Sequence, residues 1–253
     1  WGACGPTLLP MTFAQFKTMV AAFMQRDAST FVYGSFDWLT YAINMARKAS
    51  ERKRDFELCR TQAQVTVNLT TGVALSTAVL CSDGTTAVSI KSIRKAFTPD
   101  HNSLLYYPIR VTSREKYTNM LDRVYQNHDF DRAASQDLYY EPGVTSPYLV
   151  READQVYLCP ASTTMYGSTT NVLVKMDVIK WLADYSADGD TDFFLTHCVE
   201  YMLFKTVSLL QPFLKEDVRA PLALSQLKEA WLSVVAWDGQ LVSAASSDDT
   251  NLD

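Results

Sequence analysis

The stretch SFDWLTYAINMARKASERKRDFEL, residues 35–58, determines how the rest of the chain is interpreted. Ser35 is a good N-cap and no glycine or proline interrupts the stretch, so it predicts a helix of about five turns. Apolar side chains recur on two faces of this helix. A narrow polar stripe separates these faces and comprises Asp37, Thr40, Asn44, Arg47 and Glu51. We therefore expect a helix that packs on two sides, at the centre of an α-helical core.

Helices are also predicted near both ends of the chain. Thr12 and Gln15 form a capping box, which begins a helix that reaches about Gln25. The acidic run 188–192 lacks the glycine and the glutamate that a calcium loop needs further along, so we interpret it as the N-terminal cap of a buried helix. A last helix begins at Pro221, and its apolar stripe comprises Leu224, Leu227, Trp231 and Val234.

Between these helices the hydrophobic period changes to that of strands. Apolar and polar residues alternate there, which is typical of half-buried strands. The dipeptide Asp83-Gly84 is a strong hairpin signal between two of them. We therefore predict that the first three strands form an antiparallel meander, and that a short helix begins at Ser113. The strands are predicted at 63–69, 73–80, 85–93, 155–158 and 171–179.

The predicted fold class is α+β. Residues 12–57 and 190–237 form a helical bundle core, and residues 61–180 form a large antiparallel β-rich insertion. The terminal helices have incomplete cores unless they pack on one another, so the chain is predicted to be a single domain. Residues 238–253 contain few apolar anchors, which predicts a flexible C-terminal docking tail.

The composition limits the function. The 253 residues carry a formal net charge of -5, which argues against a protein whose main activity is binding phosphate backbones. Five cysteines without C-x-x-C spacing favour a reduced, cytoplasmic environment over a disulfide framework. The most apolar window, 193–213, contains His197, Glu200 and Lys205, so no membrane span is expected.

The sequence carries no recognisable catalytic, cofactor or metal motif. The histidines His101, His128 and His197 lie far apart and lack metal-ligand spacing. No nucleophile elbow, phosphate loop or dinucleotide fingerprint occurs. We therefore expect no catalytic residue, no cofactor and no metal site. A hydrolase with a cysteine nucleophile and a distant histidine stays open as an alternative, because such partners are neighbours only in space.

Three stretches resemble the head-to-tail adaptor (connector) proteins of tailed bacteriophages, which bind beneath the portal. They are the two-sided helix ending in ASERKRDFEL, the phrase DQVYLCPAS and the later helix DFFLTHCVEYMLFKTVSLLQPFLKEDVR. The resemblance covers Trp38–Phe56, Val156–Pro160 and Asp192–Arg219. The resemblance implies a helical core, a ring of twelve subunits around the DNA channel, the portal above, tail or nozzle proteins below, and no enzymatic activity. It also implies that DNA passes without sequence-specific binding. The protein is then made in the bacterial cytoplasm and located in the virion neck.

Candidate interface residues follow from this resemblance. In such adaptors the C-terminal segment reaches the portal, so the candidate partner interface comprises Trp231, Trp237, Leu241, Val242 and Leu252. The candidate subunit-interface or channel-facing residues lie on the central helix and are Trp38, Tyr41, Arg52, Lys53 and Arg54. Charged neighbours favour a solvated helix end for the basic run 52–54. The alternative function is another neck, nozzle or tail-tube subunit, in which the β-rich block is the principal oligomer interface.

Overall fold

The computed structural model describes residues 10–75, 79–81, 86–99, 106–119, 147–159, 161, 166, 170–211 and 219–248. The chain divides into two compact units. Trp1–Leu58 and Ala183–Asp253 form what we call the terminal unit, and Cys59–Leu182 form the central unit. The predicted α+β class is confirmed, and the unit boundaries lie close to those of the predicted insertion. Where the sequence predicts a single domain, the structure has two units that are each compact.

The terminal unit contains five of the described helices. They are α1 (Phe13–Phe23), α2 (Trp38–Lys53), α3 (Phe193–His197), α4 (Val199–Leu210) and α5 (Arg219–Asp248). A short hairpin of β1 (Val32–Tyr33) and β2 (Phe36–Asp37) lies between α1 and α2. The predicted capping box is confirmed, because the Thr12 hydroxyl accepts the Gln15 N–H at 3.3 Å and the Gln15 side chain accepts the Thr12 N–H at 2.9 Å.

The central helix α2 is shorter than predicted. Ser35 does not cap it, because Gly34 and Ser35 form the turn between β1 and β2. Asp37 is the N-cap instead, and its carboxylate accepts the backbone N–H groups of Leu39 and Thr40. The helix ends after 16 residues, where the next residue has extended backbone angles.

The last helix continues beyond its predicted end. α5 includes Trp237-Asp238-Gly239 and ends at Asp248, so the predicted flexible tail 238–253 is helical over its described part. The reason is that Asp238 is buried and Leu241 is half-buried, which anchors the turns on both sides of Gly239. Residues 249–253, which include Leu252, lie outside the described residues. No helix in the described part of the chain is long and apolar enough to cross a membrane.

The central unit is built on one mixed sheet of eight described strands. They are β3 (Arg60–Asn68), β4 (Val73–Ala74), β5 (Leu80–Cys81), β6 (Ile90–Pro99), β7 (Tyr106–Ser113), β8 (Tyr148–Glu152), β9 (Gln155–Cys159) and β10 (Asn171–Lys180). Their order is β4-β9-β8-β7-β6-β10-β3-β5, and only β7 and β8 pair in parallel within this set.

The predicted meander forms only in part, because β5 pairs antiparallel with β3 at two residues and Leu80 bridges to Ala87. β3 pairs along its whole length with β10, which follows more than ninety residues later, and at only two residues with β5. Alternation identifies a strand and its buried face, but it does not identify the neighbouring strand. β10 matches β3 in length and in the alternation of buried residues, so the two strands pair at nine positions with their buried residues on one face.

The predicted hairpin is supported beside its turn. Asp83 and Gly84 themselves lie outside the described residues. On either side of them the Cys81 N–H donates to the Thr86 carbonyl at 2.7 Å, as a hairpin requires. The segment 114–119 is helical, which agrees with the short helix predicted there.

One face of the sheet forms the apolar core of the central unit. Its buried residues include Val65, Val67, Leu149, Leu158, Val174 and Met176. Gly72, in the turn after β3, has a φ of +69°, and a Cβ there would lie 2.6 Å from the Tyr157 ring and 2.7 Å from the Val156 carbonyl oxygen. Only glycine fits this close approach of β9 to the turn.

Candidate functional site

An exposed apolar surface surrounds the β1-β2 hairpin and the start of α2. Val32, Phe36 and Tyr41 are each nearly half exposed, and Tyr33 is 83% exposed. Trp38 completes the group, and we call these five residues the aromatic patch. Single exposed apolar side chains are common on proteins, but a contiguous group indicates an interaction site.

The rings of the aromatic patch contact one another. The Phe36 ring centroid lies 4.6 Å from that of Trp38 and 5.5 Å from that of Tyr41. The Trp38 and Tyr41 centroids are 5.9 Å apart, with ring planes at 87°. Edge-to-face contacts of this kind are the geometry that aromatic pairs prefer. They hold the rings in place before a partner arrives, which lowers the entropy lost on binding.

The hairpin and the helix cap position the patch. The hairpin register sets Tyr33 opposite Phe36, and Asp37 follows directly as the cap of α2. The Lys17 ammonium lies 2.8 Å from an Asp37 carboxylate oxygen. Burial acts to raise the pKa of Asp37, but hydrogen bonds from Lys17 and Thr40 outweigh it and hold this pKa below its ordinary value. Asp37 is therefore ionised at neutral pH, the form that caps the helix best.

A shallow apolar pocket lies beside the patch. Its volume is about 180 Å³, and it is lined by Trp38, Tyr41, Ala42, Met45, Leu209 and Leu210. Because Trp38 and Tyr41 belong to both features, the patch and the pocket form one continuous surface. An apolar side chain of a partner that enters such an apolar pocket would displace water favourably.

Helix α5 carries exposed leucines that project from different sides of its axis. Leu222 and Leu232 are each at least half exposed, and Leu224 is nearly so. The same helix buries Ala230 and Val234, and it packs against α4. The terminal unit therefore has one contiguous apolar surface beside a pocket and, apart from it, single leucines that project from α5.

The predicted partner residues of α5 are placed differently from one another. Trp231 packs inside the terminal unit, with its ring centroid 5.0 Å from that of Tyr201. Trp237 stacks on His197 at 4.7 Å. Leu241 is half-buried and Val242 is 40% exposed. Both tryptophans are half-buried, so Val242 is the most exposed of these four residues.

The three basic residues at the end of α2 have different surroundings. Arg52 is exposed, and the Lys53 ammonium lies 5.5 Å from the centre of the Trp231 ring. The Arg54 Nε donates to a carboxylate oxygen of buried Asp238 at 2.6 Å. The interpretation of the run as a solvated helix end is therefore wrong for Arg54, because its partner Asp238 lies within the unit.

The C-terminal half of the predicted polar stripe is buried. Arg47 is 1% exposed and Glu51 is 2% exposed, although both residue types are rarely buried. The Arg47 guanidinium lies 3.0 Å from Asp184 and 3.5 Å from Asp192, and it stacks 4.4 Å from the centre of the Tyr185 ring. We call these five residues the arginine network. It joins α2 to the segment that leads into α3.

The segment before α3 is held by further contacts. The Asn44 side chain donates to the Tyr185 carbonyl at 3.1 Å and accepts the Tyr185 N–H at 2.9 Å. Asp192 caps α3 by accepting the N–H groups of Phe194 and Leu195, which confirms the interpretation of the acidic run as a helix cap. Among the described residues, no three His, Cys, Asp or Glu side chains are grouped as a metal site requires.

Cys198 is buried where α3 meets α4, while the neighbouring His197 is exposed. Burial raises the pKa of the Cys198 thiol to about 12, and the carboxylates of Asp192 and Asp238 act in the same direction. The thiolate is the nucleophilic form of cysteine, and at neutral pH almost none of it exists here. This environment is the opposite of the one that a cysteine nucleophile needs.

We expect Cys198 to resist alkylation in the folded protein. At pH 8 iodoacetamide should modify the half-buried Cys81 and leave Cys198 unmodified, because the raised pKa keeps the buried thiol protonated. Denaturation in guanidinium should make both modifiable, which controls for peptide detection by mass mapping. Equal rates at Cys198 and Cys81 without denaturant would contradict this account.

The structure brings two predicted interface residues, Trp38 and Tyr41, into one surface and adds Val32, Tyr33 and Phe36 to it. The sequence Tyr-Gly-Ser-Phe at 33–36, a glycine turn between two aromatic residues, could have predicted that the hairpin contributes to this surface. No protein-family model matches the chain, and no curated protein matches it significantly.

Proposed function

We propose that the chain is a subunit of a head-to-tail adaptor of a tailed bacteriophage. It forms a ring below the portal, extends the DNA channel and attaches the tail. The observation that carries this proposal is the aromatic patch, because a preorganised apolar surface beside a pocket serves assembly. The resemblance of Trp38–Phe56 and Asp192–Arg219 to such adaptors supplies the kind of assembly. Both stretches belong to the terminal unit, which in this proposal is the helical bundle core of the adaptor.

A second copy of the chain covers the aromatic patch in this proposal. A ring in which each subunit contacts the next head to tail needs two unlike surfaces on every subunit. The patch with its pocket is one such surface, and the side of α5 that carries Leu222 and Leu232 in the next copy is the other. Half-exposed aromatic side chains present about 100 Å² each, so the patch offers about 400 Å². This is about half of what each partner buries in a standard interface of roughly 800 Å² per side, and the rim of the contact supplies the rest.

The remaining partners follow from the adaptor role. The end of α5, from Leu241 onward with Val242 exposed, docks on the portal, and a tail or nozzle protein completes the neck. The ring contains about twelve copies, and DNA passes through it without sequence-specific recognition. In this proposal the protein carries out no chemistry, and the protonated thiol supports only that Cys198 is not a nucleophile. Its place of action is the neck of the virion.

A tail-tube or nozzle subunit is the second candidate function. The observation that favours it is the edge of β3, which pairs with the short β5 at Ala63 and Gln64 and with no described strand at Val65 and Thr66 on that side. An open strand edge can add a strand from another copy. In that case the central unit, and not the aromatic patch, is the principal oligomer interface.

The number of copies per virion tests the proposal. We expect quantitative mass spectrometry of washed, purified virions from the same genome to find the chain at the copy number of the portal protein. An amount several times larger would support a tail tube, which stacks many rings. Absence of the chain from washed virions would overturn the adaptor proposal.

A further inference from the structure

The groove between α2 and α4 continues past the apolar pocket towards two lysines. The helices run antiparallel, because the Ser50 and Tyr201 hydroxyl oxygens are 3.0 Å apart while the pocket joins the start of α2 to the end of α4. Lys205 lies one turn before Leu209, on the side of α4 that lines the pocket. Lys53 lies in the last turn of α2. The groove therefore has an apolar end at the pocket and a cationic end about 6 Å further along α4.

Among the described residues, Lys205 has no counter-ion. Its side chain is half-buried and takes part in no ion pair or side-chain hydrogen bond in that part of the chain. Burial, and then the neighbouring charge of Lys53, hold the pKa of Lys205 below its ordinary value. The Lys53 ammonium lies 5.5 Å from the centre of the Trp231 ring. A carboxylate placed beside Lys205 would offset both its burial and its repulsion by Lys53.

The outward side of α5 carries such a carboxylate with a leucine on either side of it along the helix. Glu229 is exposed, and within the described part of the chain its carboxylate has no ion-pair partner. Leu222 precedes it by two turns and Leu232 follows it by almost one turn. At about 100° per residue, these three side chains lie within about 80° of one another around the axis. The buried residues Ala230 and Val234 lie on the other side of the helix.

We propose that Glu229 of one copy pairs with Lys205 of the next copy while Leu232 enters the apolar pocket. Leu232 lies about 4.5 Å beyond Glu229 along α5, and Leu209 lies about 6 Å beyond Lys205 along α4, so one placement satisfies both contacts. The inference rests on the proposed function, in which a second copy covers the aromatic patch. Every copy carries both halves of the contact, so it repeats head to tail. The charge pair sets the register of α5 in the groove, which apolar contact alone leaves free to slide.

Charge reversal tests the pairing in the isolated full-length chain, by sedimentation velocity over a concentration series without the portal. Glu229→Lys should weaken self-association at least about tenfold, because it places two cations together at every contact. Lys205→Glu should have a similar effect. The double variant Lys205→Glu, Glu229→Lys has opposite charges again at every contact, so its association should return to within about threefold of the wild type.

The exposed position of Glu229 makes Glu229→Lys safe for folding, and thermal unfolding checks each variant. If Lys205→Glu does not fold, Lys205→Gln replaces it. Lys205→Gln removes the repelled cation, so adding Glu229→Lys to it should weaken association less than Glu229→Lys does in the wild type.

Two control variants reverse exposed charges elsewhere. Lys228 lies on a different side of α5, and Glu115 belongs to the central unit. Lys228→Glu and Glu115→Lys should associate as the wild type does. Additive losses in the double variant, or a wild-type chain that stays monomeric throughout the series, would overturn the inference. So would a loss with Lys205→Glu but not with Glu229→Lys, since the anion would then come from another partner.

The portal separates failure of this inference from failure of the adaptor proposal. A chain that binds portal rings one to one without coupling between the two charges keeps the adaptor role and loses the pairing. A chain whose self-association follows the charge reversals but which ignores the portal keeps the pairing and loses the adaptor role.

Discussion

Replacing Arg47 with methionine should lower the free energy of unfolding of the terminal unit by about 3–5 kcal/mol. Arg47 is 1% exposed and lies among three carboxylates, of which Glu51 is buried and Asp192 is nearly so. Without the guanidinium these carboxylates lose their charge partner in a medium where ions are poorly solvated. Methionine fills much of the same volume, so the loss comes from the uncompensated charges and not from a cavity.

Urea unfolding followed by tryptophan fluorescence measures this effect. Four of the five tryptophans belong to the terminal unit, so the signal reports mainly on that unit. Arg26→Met is the matched control, because Arg26 is exposed and the change should alter stability by less than about 0.5 kcal/mol. Adding Glu51→Met to Arg47→Met should restore part of the loss, since it removes one of the stranded charges. If Arg47→Met proves as mild as Arg26→Met, the arginine network does not stabilise this unit.

Placing charge in the aromatic patch should prevent assembly without unfolding the subunit. In the variant Tyr33→Glu, Tyr41→Glu, a buried interface would have to desolvate two unpaired carboxylates, which we expect to weaken association at least a hundredfold. Tyr33 is 83% exposed and Tyr41 is 47% exposed in the subunit, so its stability should change little. Sedimentation velocity with and without portal rings measures assembly, and thermal unfolding checks the fold.

Two controls separate the patch from other exposed apolar residues. Leu58 on the terminal unit and Leu173 on the outward face of the sheet are also exposed. Leu58→Glu and Leu173→Glu should assemble as the wild type does. Loss of assembly in Leu173→Glu, with normal assembly of the patch variant, would show that the sheet is the interface and would favour the tail-tube function.

Local sequence patterns predicted most helices and strands, but they did not predict which distant strands pair. The sequence predicted the capping box at Thr12, the existence of α2 and the alternation in β3 and β10, because each of these features depends on neighbouring residues. The sequence did not predict which strand pairs with β3, because β10 lies far away along the chain and many strands show the same alternation. The predicted N-cap of α2, Ser35, lies two residues before the observed cap, because Ser35 forms the hairpin turn with Gly34.

Only part of the aromatic patch was predicted, because sequence patterns show which residues are apolar but not which distant residues cover them. Trp38 and Tyr41 stand out because they are aromatic residues on one face of a helix whose other face already supplies enough apolar side chains for the core. Trp231 and Trp237 look equally available in the sequence, but both are half-buried, Trp231 against Tyr201 and Trp237 against the exposed His197. The burial of Arg47 depends on the segment 183–192, which packs over α2. Because this segment is distant along the chain, the residues near Arg47 in the sequence do not predict the contact.

The native mass of the chain, alone and mixed with portal rings from the same genome, tests the central claim most directly. The adaptor account predicts a discrete complex with one chain per portal subunit, which the patch variant fails to form. A chain that ignores the portal and builds its own stacked tubes would contradict the account in favour of a tail component. A stable monomer that binds neither itself nor the portal would contradict it altogether.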